Sequence, residues 1–400
     1  MKKLLPLLLG LMFLPTTGAF GLTLYFWDTN QDAPGAGGAS PSGTWGVDAY
    51  WTESATGETT PTVAWDPGQV AVFAAGSDAT GAYTITVFGQ VQVGDVQVDR
   101  GEVTFEPDAG IGGSLMLVAQ DGATSPRLLG VGSFDDNAVA RFNVPLTDAT
   151  GVVRYKVGTV IFGATNTFTG SLTIESGFTQ CAVPYAFSSA PSLVLANLGM
   201  QRDDVAPEWE NYGAVLQTGG LDEQFGTLQF AGTNSLNARV LDLGNGSGTL
   251  SFADSSAENW TEPTIYGFNY TLTIQNYALG SSKLRFGTNS AGLTTTQLSQ
   301  IQFADFGNVA GVIDADGYVT PDVVVPVQPT ITSVTHSGGS VEICWSAVNG
   351  QTYRVWSKDT LDAASWVFQS DVTASGDTAC YTDPSPSATG RFYRVEFLVP

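Results

Sequence analysis

The sequence predicts an all-β protein: a parallel β-helix or solenoid with an N-terminal cap, followed by a small antiparallel β-sandwich. Three observations lead there. Glycine fills 47 of 400 positions and charged residues make only 13%, while Thr, Val and aromatics recur in short bursts, as in strands cut by many turns. Helical periodicity is nearly absent; the one credible helix is Thr294–Ile301, where Thr294 caps the first turn and Gln297, three residues on, completes a capping box. The stretch 158–177 packs two alternating strands and two turns into about twenty residues. Val160 and Phe162 alternate with small or polar residues, Gly163-Ala-Thr-Asn166 turns the chain, and Phe168, Leu172 and Ile174 restore the period of two before Gly177. A unit this short cannot bury its apolar face alone and must stack on neighbours.

Residues 1–21 read as a secretory signal. Lys2 and Lys3 form the charged start, Leu4 to Leu14 an apolar run too short to span a bilayer, and Thr16 to Gly21 a small-residue exit with cleavage after Ala19 or Gly21. Because this segment holds no Asp or Glu, losing Lys2 and Lys3 takes the formal charge from −23 to −25. A mature chain this acidic, with a single His, is a poor candidate for nucleic acid or polyanionic glycans, whose binding is led by Lys and Arg. No later run of apolar residues is long enough for a transmembrane helix, so the expectation is an exported protein, secreted or held at the outer cell surface by something other than a membrane span.

Residues 22–108 are expected to form a Trp-rich cap and the first turns of the coil. Four of the nine tryptophans, Trp27, Trp45, Trp51 and Trp65, fall here. They suit closure of an end that would otherwise expose apolar surface and strand edges; stacking on carbohydrate is the alternative. Residues 109–323 repeat short strands at turn-limited intervals, among them Leu115-Met-Leu-Val, Thr227-Leu-Gln-Phe and Thr249-Leu-Ser-Phe, a cadence that suits a coil of roughly a dozen turns. Pro321-Asp-Val-Val-Val-Pro326-Val-Gln-Pro329 contains a stiff, Pro-spaced linker at 324–329. Residues 330–400 show strand patterns at Thr330–Thr335, Ser340–Trp345, Thr352–Trp356, Trp366–Ser370, Thr378–Thr382 and Arg391–Phe397, the signature of a β-sandwich.

Four resemblances carry the reading further. The Gly-Thr-led strand, Asn166-Thr-Phe-Thr-Gly170 turn and Thr-Ile strand of 158–177 resemble the autotransporter-associated β-strand repeat. The order Trp27-Asp-Thr-Asn30, Gly43-Thr-Trp45, Val70-Ala-Val-Phe73 and Tyr83-Thr-Ile-Thr-Val87 is similar to the leading segment of bacterial surface proteins with the same repeat. Residues 241–320, from Leu241-Asp-Leu-Gly-Asn-Gly-Ser-Gly to Asp314-Ala-Asp-Gly-Tyr318, resemble the closing segment of exported PEP-CTERM repeat proteins, although the sorting tail that usually follows is not in this sequence. Val341-x-Ile343-x-Trp345, Tyr353-x-Val355 and Phe392-Tyr-Arg-Val395 resemble fibronectin type III modules of secreted bacterial proteins. These resemblances imply a structural or adhesive surface protein, an adhesin, whose partner is a glycan or protein of the cell surface. An extracellular glycan-binding protein or carboxylate-based glycan-cleaving enzyme is the alternative.

In the last segment, inward Val341, Ile343 and Trp345 turn Cys344 out, and inward Ala379 and Tyr381 turn Cys380 out. The fibronectin-like resemblance makes their strands neighbours, which implies a Cys344–Cys380 disulfide; Cys181 is left as a buried, small apolar residue. The alternation that buries Tyr353 and Val355 also turns Arg354 and Trp356 outward near Lys358, a candidate binding site for a sugar ring or a protein unless Trp356 lies against the rest of the chain.

Catalysis is poorly supported. His336 is the only histidine, and the one carboxylate-rich stretch of the coil is Asp203-Asp204, Glu208, Glu210 and Asp222-Glu223, read as a solvated insertion rather than a glycosidase pair. No cofactor is expected. Asp28-x-Asn30-x-Asp32 and Asp314-x-Asp316-Gly317 place oxygen ligands at alternate positions as calcium loops do, yet lack the later bidentate Glu, and turn formation accounts for both more simply.

Overall fold

The computed structural model describes residues 23–31, 33–58, 61–118, 127–132, 137–147, 151–196, 213–232, 239–260, 270–323, 328–387 and 390–398. The proposed signal segment, Asp32, the carboxylates at 203–210 and most of the linker lie outside them. The chain divides into two units, Met1–Asp322 and Val323–Pro400. Among the described residues, 33 strands accompany a single six-residue α-helix and one 3-10 turn, and no helix is long and apolar enough to cross a membrane.

In the first unit the chain passes in rotation through three sets of strands. Asp95–Val98 lies in a nine-stranded sheet, Glu102–Pro107 in a ten-stranded sheet and Gly113–Leu117 in a third set; Arg127–Val131, Val139–Phe142 and Leu146–Thr147 repeat the round. Each strand pairs in parallel with its counterpart one round later, so the ten-stranded sheet is parallel throughout and the nine-stranded one departs only at Trp51–Thr52. In-register pairing places like on like. Val103, Ala140, Val160, Thr179, Leu216, Leu241, Ile274 and Phe303 form one inward column.

A second column is aromatic. From Phe73 the rings run through Phe105, Phe142, Phe162, Phe187, Phe225 and Phe252 to Phe286, each centroid 4.8–6.3 Å from the next. At its start Trp27, Trp45 and Trp51 are fully buried, beneath the terminal strands Gly43–Trp45 of the ten-stranded sheet and Trp51–Thr52 of the nine-stranded sheet. Residues 22–108 are therefore no separate body: one apolar core runs from Trp27 to Val319. Toward the other end the strands Tyr318–Pro321 and Gly311–Ile313 turn antiparallel. The helix Thr295–Gln300 carries both halves of the expected capping box, and Gln297 and Gln300 donate to the carbonyls of Ser255, Glu258, Trp260 and Tyr270.

The repeat-like stretch forms the strands Thr159–Phe162 and Ser171–Ile174, in different sheets. Asn166 between them is buried. Its Oδ1 accepts from Leu146 N at 2.9 Å, and its Nδ2 donates to Ala164 O and Ala186 O at 3.0 and 2.9 Å, which joins the turn to the layers on both sides. Two arginines stand in inward columns, Arg154 between Leu129 and Ile174 and Arg239 between Ala214 and Leu272. The Arg154 guanidinium donates to the carbonyls of Lys156, Gly158 and Ser176, and burial lowers its pKa to about 9. Arg239 donates to Leu195 O and Ala231 O and lies 3.9 Å from the Tyr270 ring centroid.

The second unit holds two antiparallel three-stranded sheets. In one, Ser340–Ser346 lies between Ile331–Ser337 and Thr378–Asp383; in the other, Thr352–Lys358 lies between Val367–Thr373 and Phe392–Phe397. Both contribute to one small core, with Ile343, Trp345 and Ala379 from the first and Tyr353 and Val355 from the second.

Candidate functional site

Along Thr352–Lys358, strict alternation buries Tyr353, Val355 and Ser357 and turns Arg354, Trp356 and Lys358 to the outer face. A bulge at Val355/Trp356 sets Trp356 opposite Phe368 on one neighbouring strand, and regular pairing sets it opposite Arg394 on the other. The Trp356 and Phe368 rings meet edge to face at 6.1 Å. Arg394 lies 6.0 Å from the Trp356 ring and 5.6 Å from Trp366, Lys358 lies 5.1 Å from Trp366 and Arg354 5.3 Å from Phe368, so three aromatics and three cations interleave across the sheet.

This arrangement corrects the expectation of a free tryptophan in a positive setting. Trp356 is half-buried, and its indole N–H donates to Glu396 Oε2 at 2.9 Å. Arg354 is held by both Asp371 oxygens at 2.7 and 2.8 Å, Arg394 by Glu396 at 2.8 Å, and the Lys358 ammonium donates to Ala363 O. These bonds hold the Asp371 and Glu396 carboxyls below the usual carboxylate range. Two of the three cations are thus neutralised by carboxylates, and what the face offers beside them is apolar surface: Phe368 is 51% and Val367 58% exposed. Alternation along one strand reveals which way a residue faces, while its cross-strand partners depend on a register that only the folded sheet supplies. Trp366, Phe368 and Arg394 were missed for that reason. Such a face can stack a sugar ring or an apolar side chain while its fixed donors and acceptors orient it.

On the other sheet Cys344 and Cys380 are directly opposed, with Cα atoms 4.1 Å apart, and are joined by a disulfide. Cys181 is buried in the first unit, where desolvation and the neighbouring Glu223 push its thiol pKa up, the reverse of an activated nucleophile.

The first unit's remaining candidates fill structural positions. Asp28 is buried, and its Oδ1 accepts from Asn30 N and Gln31 N, closing a turn; Asn30 donates to Pro34 O. Asp314 does the same for Asp316 N and Tyr318 N. Among the described residues, no three His, Cys, Asp or Glu converge to hold a metal ion. Of the carboxylate-rich stretch, Asp222 accepts from Thr249 N, and Glu223 is buried against Ala186 N with its pKa raised to about 7, chiefly by desolvation. Trp27, Trp45 and Trp51 are too deeply buried to stack on a ligand.

A polar stripe on the ten-stranded sheet went unnoticed in the sequence. Gln180 donates to Gln217, Gln217 and Asn276 both donate to Asp242, and Asn245 donates to Asn276, along a cleft of about 340 Å³. Its members stand 25 to 37 residues apart, so only the stacking of successive layers unites them. The stripe contains one carboxylate and no aromatic ring. No protein-family model, curated protein or solved structure matches the chain.

Proposed function

We propose that the chain is an exported, non-catalytic structural or adhesive protein of a bacterial cell surface, a β-solenoid closed by its tryptophan cluster and carrying a fibronectin type III-like β-sandwich. The solenoid reading rests on the rotation of the chain through three strand sets with like residues in register. The sandwich reading rests on the two three-stranded sheets that share a core. Export rests on the charged, apolar and small-residue order of residues 1–21.

The observation that carries the adhesive role is the outer face of Trp356, Trp366 and Phe368 interleaved with Arg354, Lys358 and Arg394. In the first unit, by contrast, the buried Glu223 and Cys181 and the turn-closing aspartates are occupied in holding the fold. The partner is a glycan or protein of the cell surface. A glycan is favoured by the stacking surface and its flanking carboxylates, which is the specific support for the reading as an extracellular glycan-binding protein.

The test is binding of the full chain and its Trp356→Ala variant to a glycan array and to whole cells. Loss of the indole should weaken binding roughly two- to tenfold, the range of a single aromatic contact, with thermal stability changed far less. Equal binding by both proteins would leave the module a spacer.

A further inference from the structure

The second unit is open along one side. Its sheets approach each other where Val367–Thr373 meets Thr378–Asp383. On the opposite side lies a cleft of about 470 Å³ bordered by Ile331–Ser337 and Phe392–Phe397, whose apolar wall is Ile331, Val334, Val341, Ile343 and Phe392 and whose polar rim includes Arg391. Pairing sets Ile331 and Val334 opposite the inward Trp345 and Ile343, yet they are 39% and 60% exposed. Tyr393, Val395 and Phe397 also face the core but are only half-buried, whereas Tyr353 and Val355 on the adjacent strand are fully covered.

The backbone along this side is unpaired as well. Leu398 N donates to Thr352 O at 3.0 Å, so Phe392, Arg394 and Glu396 point their N–H and C=O groups at Thr352–Lys358. Tyr393, Val395 and Phe397 point theirs outward, and among the described residues no strand pairs with them. Bulges interrupt the edges at Ile331–Ser337 and Val367–Thr373, but Phe392–Phe397 carries no bulge, proline or inward charge, the devices that ordinarily blunt an edge.

We propose that this edge joins two copies of the chain, pairing Phe392–Phe397 antiparallel with itself about a two-fold axis through Val395. Only Tyr393, Val395 and Phe397 can exchange hydrogen bonds across it, which restricts the registers. Centring on Val395 matches Tyr393 of one copy with Phe397 of the other and sets Arg394 against Glu396 on both sides of the axis. Moving the centre one residue either way opposes Arg394 to Arg394 or Glu396 to Glu396, like charges face to face. At a net charge of −23 the copies otherwise repel, so this charge-matched register singles out the contact. The inward rings of the second copy then extend the apolar face beside the open cleft, supplying burial that paired edges alone lack.

Sedimentation equilibrium of the full chain over a concentration series, with hydrogen exchange on the same samples, tests the proposal. A monomer–dimer equilibrium is expected, with the Tyr393, Val395 and Phe397 amides gaining protection as the dimer fills. Arg394→Glu and Glu396→Arg should each weaken association roughly tenfold or more, and the double variant R394E/E396R should restore it. Retention of the Cys344–Cys380 bridge and of the β spectrum checks that each variant folds, and the exchange pattern of the unaltered chain decides the matter if one does not. A monomer at every concentration, a dimer that leaves those amides unprotected, or single-swap losses that the double swap fails to restore would overturn the proposal.

Discussion

In the parallel-sheet unit several buried polar side chains find their partners in the backbone across neighbouring strands: Asn166 bonds Leu146 N and Ala186 O, Arg239 bonds Leu195 O, and Glu223 bonds Ala186 N, while Asp95 and Lys156 are met by side chains. In the C-terminal unit the arginines are met by side chains, Arg354 by Asp371, Arg391 by Asp359 and Asp383, and Arg394 by Glu396, and Cys344 is bonded to Cys380. The cause is depth. Most strands of the parallel sheets have a paired neighbour on each side, so backbone groups beside each strand are available and the aromatic column continues from Phe73 to Phe286. Six buried apolar residues in the smaller unit make a core that needs a covalent staple.

The comparison breaks most readily at the column. Phe142→Ala leaves a cavity between Phe105 and Phe162 and should cost about 3–5 kcal/mol, lowering the calorimetric transition of the parallel-sheet unit alone. A matching fall in the second transition would mean that the units do not unfold separately. Next in size is the bridge: Cys344→Ala with Cys380→Ala should cost the C-terminal unit about 2–4 kcal/mol and spare the other, read in the same melts.

The smallest effect separates the units by sign, and for the buried Glu223 and Asp95 it is on the order of 2 kcal/mol. Desolvation raises Glu223 to about 7 and Asp95 to about 6, so both bind protons more tightly folded than unfolded. Their contribution is whole below the ordinary carboxylate range and is lost as pH rises through 6 to 7. Asp371 is lowered by its bonds from Arg354, and Glu396 by its bonds from Arg394 and Trp356. For Asp383, burial is outweighed by bonds from Tyr393, Ser385 N and Arg391. Those contributions are present near neutrality and vanish as pH falls through the depressed values. Acidifying from neutral toward pH 5 should therefore raise the first transition, an effect reduced in Glu223→Gln, while stronger acid lowers the second.

Much of the fold was legible. The strand patterns at Ser340–Trp345, Thr352–Trp356 and Thr378–Thr382 fall within one or two residues of the observed strands, and the capping box of Thr294 and Gln297 is formed as read. Period-two alternation and capping are local signals, carried by neighbours in sequence. Buried charge is not. Arg154, Arg239 and Glu223 look like surface residues in a sequence because nothing local states that a carbonyl or amide from another layer will meet them. The same blindness hid the Gln180–Gln217–Asp242–Asn276 stripe and the clasp that Glu396 places on Trp356, both products of strand register.

The tryptophans at the head of the column also make that end of the molecule an optical antenna. Trp45, Trp51 and Trp65 lie 4.6–5.3 Å apart by ring centroid and Trp27 is 5.1 Å from Trp51, close enough for their transitions to couple and for excitation to hop among them. Near-ultraviolet circular dichroism and emission anisotropy are then weighted toward one terminus, whose fraying is visible in light before the bulk strand signal changes. The chain carries its own label at the place where its stack begins.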